Sequence, residues 1–117
     1  MSSPDADAAL IWLPLGPAAD FPADEPMPIC LERPEGRVEL TLVRQGEEFH
    51  VLGGRCPHRG APLAELGFLD GEGHLVCGWH YWSFRLSDGG HTLLDTISIG
   101  RWPTRIVEGE LFVGLGA

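Results

Sequence analysis

The fold of this chain is decided by two short stretches, CPHRGAPL at residues 56–63 and CGWHYWSF at residues 77–84. Each stretch begins with a cysteine and places a histidine two or three positions later: Cys56 and His58 in the first, Cys77 and His80 in the second. Eighteen residues lie between His58 and Cys77. Because thiolates and imidazoles are common metal ligands, two loops that converge with one of each predict a metal site.

The order of the ligands separates two kinds of metal site. A structural zinc ion also takes two cysteines and two histidines, but zinc fingers usually pair cysteine with cysteine and histidine with histidine. Here each loop carries one cysteine and one histidine. This mixed order favours a binuclear iron–sulfur centre, in which two cysteines bind one iron and two histidines bind the other. A structural zinc module stays as the less favoured alternative.

The two stretches resemble the ligand loops of the Rieske [2Fe–2S] domain family, and a weaker likeness extends across nearly the whole chain. The resemblance implies one [2Fe–2S] cluster, with Cys56 and Cys77 on the inner iron and His58 and His80 on the outer, more exposed iron. The residues expected to surround these ligands are Gly60, Leu63, Gly78, Trp79, Trp82 and Phe84.

Four of these surrounding residues have physical roles that can be stated in advance. Gly60 and Gly78 are expected to let backbone N–H groups approach the cluster sulfurs, which would stabilise the reduced cluster. Leu63 and Phe84 are expected to cover the cluster and exclude water, a role that does not conflict with ordinary core packing.

Departures from the respiratory members of the family indicate a lower reduction potential. Those proteins add a cysteine to each loop and join the two in a disulfide, where this chain has Ala61 and Trp79. They also carry a serine and a tyrosine whose hydroxyls bind the cluster, where this chain has Trp82 and Phe84. The expected potential therefore lies toward the low end of the range of roughly −150 to +300 mV. Tyr81 stands where many relatives have glycine, and its bulk would either alter docking or shield the imidazole of His80; the sequence does not decide between the two.

The rest of the chain predicts an all-β fold. It contains 16 Gly and 10 Pro and shows no sustained helical periodicity, whereas Val38, Leu40 and Leu42 alternate with other residues as in a half-buried strand. The expected architecture is a Rieske-type antiparallel β-sandwich with a small cluster-binding subdomain built from the two loops. Residues 1–117 are expected to form one domain, with the cluster-binding part at about residues 54–86. Strands are expected at residues 10–13, 27–32, 38–43, 49–52, 74–76, 81–86, 97–99, 102–107 and 110–115, and one helical turn within 64–69.

Three residues outside the loops carry separate expectations. Pro14 is expected to end the first strand, because proline cannot donate a backbone hydrogen bond. Cys30 is expected to be a small core residue rather than a reactive thiol. His50 is expected on the solvent face of its strand and is not counted as a metal ligand.

Charge and cysteine content restrict the partners and the compartment. Eight Lys and Arg against seventeen Asp and Glu give a net charge of −9, which disfavours nucleic acid and anionic membranes and favours a basic protein partner. Three cysteines, an odd number, point to a reducing compartment. The first residues are acidic, and the apolar run at residues 8–15 is too short to span a membrane. The expected location is the cytoplasm.

These observations predict an electron carrier rather than an enzyme. Oxygenases that use this cluster need a second, mononuclear iron site, and His50, His74 and His91 do not form one in the sequence. The expected function is a soluble Rieske ferredoxin that carries one electron from an NAD(P)H-dependent flavoprotein reductase to a terminal oxygenase, with transient contacts to both. The exposed histidines would be the electron port, ringed by Trp79, Tyr81 and Pro62. The alternative is a small subunit of a larger redox complex, such as assimilatory nitrite reductase.

Overall fold

The computed structural model describes residues 10–116, and the regular secondary structure of this part of the chain is almost entirely β-strand. The two helical segments are a 3₁₀ turn at Ala18–Asp20 and one turn of helix, α1, at Leu63–Leu66. Neither helix in this part of the chain is long and apolar enough to cross a membrane. The strands are β1 (Leu10–Pro17), β2 (Met27–Arg33), β3 (Gly36–Gln45), β4 (Glu48–Gly53), β5 (Gly67–Leu69), β6 (His74–Cys77), β7 (Ser83–Arg85), β8 (Arg101–Trp102), β9 (Thr104–Val107) and β10 (Glu110–Gly116).

The strands form three antiparallel sheets. Their strand orders are β1-β10-β9, β2-β3-β4-β8 and β5-β6-β7. The first two sheets pack together, since Leu42 and Val51 of the second share one hydrophobic core with Leu111 and Val113 of the first. The predicted antiparallel sandwich is therefore confirmed.

The third sheet belongs to the cluster-binding subdomain and covers the other face of the central sheet. Val43 and Leu52 point away from the sandwich core and pack with Leu75 and Phe84 in a second core. Successive residues of a strand point to opposite faces, so β3 and β4 supply side chains to both cores. The central sheet is thus the platform on which the ligand loops are mounted.

This burial of both faces corrects the expectation for His50. Its side chain is buried, not on a solvent face, because it lies on the side of β4 that the subdomain covers. Its Nδ1 atom lies 3.3 Å from Nη2 of Arg101. Glu48 approaches the other ring nitrogen at 3.6 Å.

The expectations for Cys30 and Pro14 were also wrong, in both cases because of sheet edges. Cys30 is exposed, since β2 buries its alternate residues Ile29 and Leu31 and lies at the edge of its sheet. β1 does not end at Pro14 but continues to Pro17. It is an edge strand with a register shift just after Pro14, where a missing N–H group is tolerated.

Several strand boundaries differ from the expected ones. The stretch at 102–107 is split at Pro103, because β8 pairs with β4 in the central sheet while β9 pairs with β10 in the other. The expected strand at 97–99 is reduced to a single bridge, between Gly90 and Ser98. The predicted helical turn ends at Leu66, and the next three residues form β5 instead.

Candidate metal centre

The two ligand loops have the same backbone hydrogen-bond pattern. The N–H group of Gly60 donates to the carbonyl of Cys56 over 2.7 Å, and that of Tyr81 donates to the carbonyl of Cys77 over 2.8 Å. In addition, the N–H group of each cysteine donates to the carbonyl five residues further on, over 2.9 and 2.7 Å respectively. The loops are thus two copies of one turn, although their Cys–His spacings differ.

The two cysteines lie at the buried end of this arrangement. Cys56 and Cys77 are 1% and 2% exposed, belong to the same core, and are both free thiols. Burial raises the pKa of the Cys56 thiol, and the nearby Cys77 thiol raises it further, although the N–H groups of His58 and Arg59 act against this. A bound metal would supply the positive charge that holds both as thiolates.

The two histidines lie at the exposed end. The ring centres of His58 and His80 are 4.6 Å apart, with the rings nearly perpendicular at 88°. Both side chains are exposed to solvent. Within residues 10–116 neither imidazole has a hydrogen-bond partner, so ring nitrogens of both remain available as ligands. The structure therefore brings the two cysteines together in the buried core and the two histidines together at the exposed end of the loops.

Both loop glycines are favoured by the local backbone, for reasons separate from the expected approach to sulfur. Gly60 adopts a φ of 73°, in the left-handed region that favours glycine, and has open space around it. At Gly78 a Cβ atom would overlap the carbonyl oxygen of Leu66, at the end of α1. Gly78 is therefore needed where the second loop passes against the helical turn.

Leu63 and Phe84 are completely buried in the core that contains both cysteines. This placement agrees with the expected role of excluding water from the sulfur side of the site. Trp82 packs against His58, with ring centres 4.7 Å apart. Trp79 is half exposed and lies on the outer surface of the second loop, as expected.

Arg55 anchors the first loop, and sequence reasoning did not find it. Its Nη1 atom donates to the carbonyl oxygen of Gly60 over 2.8 Å, and its remaining nitrogens bind the carboxylate of Glu39 on β3. The hydrogen bond from Arg55 lowers the pKa of the Glu39 carboxyl. The one available signal was the position of Arg55, directly before the first ligand cysteine.

A second group of potential metal ligands lies in the turn between β5 and β6, and the hydrogen bonds of that turn account for their closeness. Ligand atoms of Asp70, Glu72 and His74 lie within 4.8 Å of one another. The Asp70 carboxylate accepts from the N–H group of Glu72 at 2.8 Å and pairs with Nδ1 of His74 at 2.6 Å. Although burial opposes it, these hydrogen bonds lower the pKa of Asp70. The hydrogen bonds of Asp70 close the turn between β5 and β6. The group contains one histidine, whereas the outer iron of the cluster takes two.

Comparison with known proteins shows which family has this pair of loops. The family model of the Rieske [2Fe-2S] domain matches residues 11–97, most of the chain. The chain belongs to the Rieske [2Fe-2S] domain family. The family carries one Rieske-type [2Fe–2S] cluster, and the two buried thiols and two exposed imidazoles of this Rieske domain fit that cluster.

The relatives of this Rieske domain include both small carriers and large oxygenases. The ferredoxin subunit of anthranilate 1,2-dioxygenase from Burkholderia cepacia is 29% identical over 106 residues, which cover 90% of this chain and 93% of that protein. Pheophorbide a oxygenase from Arabidopsis thaliana is 39% identical over 74 residues, 62% of this chain but only 13% of that protein. The chain thus spans a small part of such oxygenases.

A solved structure confirms the fold of the Rieske domain. It is a putative NADH-dependent nitrite reductase small subunit from Mycobacterium tuberculosis, with a TM-score of 0.78 at 19% identity. The match covers 92% of this chain and 97% of that one. At this identity the likeness shows the fold alone.

Proposed function

We propose that Cys56, His58, Cys77 and His80 hold the [2Fe–2S] cluster, with the cysteines on the inner iron and the histidines on the outer iron. The observation that carries this assignment is the pair of loops with identical hydrogen bonding, which presents two buried thiols and two exposed imidazoles. We place the cluster-binding part at about residues 54–86 of a single domain. When bound, the cluster supplies reversible one-electron exchange.

Spectroscopy of the purified protein tests the ligand assignment. We expect an iron–sulfur absorption spectrum and, after reduction, a rhombic EPR signal. Cys77→Ser and His80→Ala should lose this signal, while His74→Gln, outside the ligand set, should keep it. A colourless, EPR-silent protein that contains zinc would instead support the structural zinc module.

We further propose that the protein is a cytoplasmic Rieske ferredoxin without substrate chemistry of its own. It would carry electrons from an NAD(P)H-dependent flavoprotein reductase to a terminal oxygenase. The match to the ferredoxin subunit of a dioxygenase over nearly its whole length supports this proposal. Three free cysteines in the part of the chain that the structure describes agree with a reducing compartment.

The residues of this chain would have distinct tasks in such a carrier. Leu63 and Phe84 exclude water from the sulfur side. His58 and His80 form the exposed edge through which electrons enter and leave. Tyr81, 71% exposed, extends an apolar surface beside His80, where a partner can dock. The net charge of −9 steers a basic partner toward it.

Reduction by a flavoprotein reductase at increasing salt concentration tests the carrier role. We expect the bimolecular rate to fall as salt rises, because screening weakens attraction between opposite charges. A redox titration should give a midpoint toward the low end of the roughly −150 to +300 mV range. A salt-independent rate would contradict the steering, and a midpoint well above zero would contradict a low-potential carrier.

Exposed apolar side chains favour one other candidate, a permanent subunit of a larger redox complex. Leu93 is 83% exposed and, with Leu94, lines the same shallow groove as His80 and Tyr81. Such a surface suits a lasting interface as well as a brief one. A carrier purifies alone, whereas a subunit of the nitrite reductase type co-purifies in fixed stoichiometry. Size-exclusion chromatography of the natively expressed protein distinguishes the two.

A further inference from the structure

His91 is a buried histidine outside the ligand set whose tautomer is fixed by the backbone. It is 5% exposed, and its Nδ1 atom accepts from the N–H groups of Leu93 at 3.0 Å and Leu94 at 3.2 Å. An Nδ1 atom that accepts two hydrogen bonds carries no proton, so the neutral ring is protonated at Nε2. Within residues 10–116 this buried Nε2 has no hydrogen-bond partner.

The His91 ring is packed against two aromatic residues of the second ligand stretch. Its centre lies 5.0 Å from that of Trp82 and 5.6 Å from that of Phe84, at 83° to both. These edge-to-face contacts are favourable aromatic geometry. An aromatic ring is also a weak hydrogen-bond acceptor for an N–H group. The rings of Trp82 and Phe84 are therefore the partners that remain for the Nε2–H group of His91.

Trp82 continues this series of contacts to a proposed ligand. Its ring lies 4.7 Å from that of His58, at a tilt of 33°. Ligand histidines are commonly oriented by a hydrogen bond to the second ring nitrogen, but His58 has none within the described residues. Its orientation therefore depends on packing against the rings of His80 and Trp82.

We propose that His91 is a positioning residue of the metal centre, which holds the Trp82 indole against the His58 imidazole. The inference rests on the proposed ligand set, in which His58 binds the outer iron. His91 would thus affect the orientation of His58 indirectly, through the ring of Trp82. The buried ring is retained for its shape and its anchorage rather than for its charge.

The backbone of His91 is held rigidly enough for this role. Arg85 binds the carboxylate of Asp88 through its guanidinium group and donates to the carbonyl of His91 at 3.3 Å. The N–H group of Gly90 donates to the Asp88 carboxylate at 2.8 Å. The His91 carbonyl is thus held by Arg85, and the His91 ring is held by the N–H groups of Leu93 and Leu94 at Nδ1.

Two variants separate the ring from its anchor. His91→Asn keeps an acceptor near the place of Nδ1 but loses the ring edge that contacts Trp82. His91→Phe keeps the ring and loses the acceptor, and the N–H groups of exposed Leu93 and Leu94 can then bind water. We expect His91→Asn to broaden the EPR signal, alter the nitrogen hyperfine couplings and shift the midpoint potential. His91→Phe, which keeps the ring edge but loses the anchor at Nδ1, should cause a smaller change of the same kind.

A double-mutant cycle with Trp82→Leu shows whether the effect passes through the indole. In the Trp82→Leu background, His91→Asn should cause no further spectral shift. Iron content and thermal unfolding are measured for every variant, because a merely structural role would lower stability and leave the spectrum of the intact centre unchanged.

The possible failures are distinguishable. A wild type without a Rieske EPR signal overturns the ligand set itself, whatever the His91 variants do. A wild-type signal that His91→Asn leaves unchanged overturns the positioning role alone. Equal spectral effects of His91→Asn with and without Trp82 would show that His91 does not act through the indole.

Discussion

Tyr81 has the same backbone position in the second ligand loop as Gly60 has in the first. Both N–H groups donate to the carbonyl of the loop cysteine, and the φ angles are 60° and 73°. An L-residue in this left-handed region costs roughly 1–2 kcal/mol. Tyr81 therefore destabilises the fold at a place where glycine would fit, and it leaves its side chain 71% exposed beside His80.

Replacement of Tyr81 separates backbone strain from side-chain function. Tyr81→Gly and Tyr81→Ala both lose the tyrosine ring, but only glycine relieves the strain. We expect Tyr81→Gly to be more stable than Tyr81→Ala by about 1 kcal/mol, measured by chemical denaturation. Both should slow electron transfer to a partner if the ring takes part in docking. Equal stability of the two variants would show that the loop relaxes without cost.

Gly78 is predicted to be intolerant of any side chain. In Gly78→Ala the new Cβ would meet the backbone oxygen of Leu66, which cannot move without displacing α1. We expect a loss of about 1–3 kcal/mol in the free energy of unfolding, as in other overpacked sites, together with reduced iron content. Gly116→Ala, at a glycine with open space around it, is the matched control and should behave as the wild type.

Loss of Arg55 should weaken retention of the cluster. Arg55→Met removes the hydrogen bond to the carbonyl of Gly60 and frees the first loop from β3. We expect faster decay of the visible absorption in the presence of an iron chelator. Glu39→Gln leaves that hydrogen bond in place and is expected to have the smaller effect. If both variants lose the cluster at the same rate, the ion pair rather than the loop contact is what matters.

His50 should make the fold less stable at mildly acidic pH. Burial, with the charge of Arg101 beside it, lowers the pKa of His50 below its ordinary value of 6.5. The unfolded chain then binds the proton more readily than the folded one, so stability is full above about pH 6.5 and falls as the pH decreases. We expect His50→Gln to flatten this dependence.

Denaturation of the wild type and His50→Gln between about pH 8 and about pH 5.5, on either side of the ordinary histidine pKa, measures the effect. Other groups titrate in both proteins, so the difference between the two curves is the quantity of interest. Parallel curves would mean that His50 is protonated as easily in the folded state as in the unfolded one.

The class of fold was predicted correctly, and the ligand residues could be proposed, because the signals for both are local. The Cys–His spacings lie within single loops, and the alternation of Leu40 and Leu42 lies within one strand. His50 was placed wrongly because the same alternation cannot show that a second layer covers the other face of β4. Cys30 was placed wrongly because a strand pattern does not reveal a sheet edge.

The residues that support the site could not be predicted from local sequence patterns. Arg55 binds Glu39, sixteen positions earlier in the chain, and His91 acts on the site through contacts between aromatic rings. Nothing in a single sequence distinguishes such an arginine from one on a solvated surface. The equivalence of Gly60 and Tyr81 was hidden because the histidines stand at different offsets in the two loops.

The pairing of β1 with β10 has a consequence for how this domain can be combined with others. Leu10 and Gly116, near the two ends of the described chain, are direct partners in that pair. Their sheet contributes to the sandwich core and not to the core around the ligand cysteines. A polypeptide could therefore enter and leave the domain at neighbouring points of one sheet, so that insertion into a longer protein or circular permutation need not disturb the redox end of the molecule.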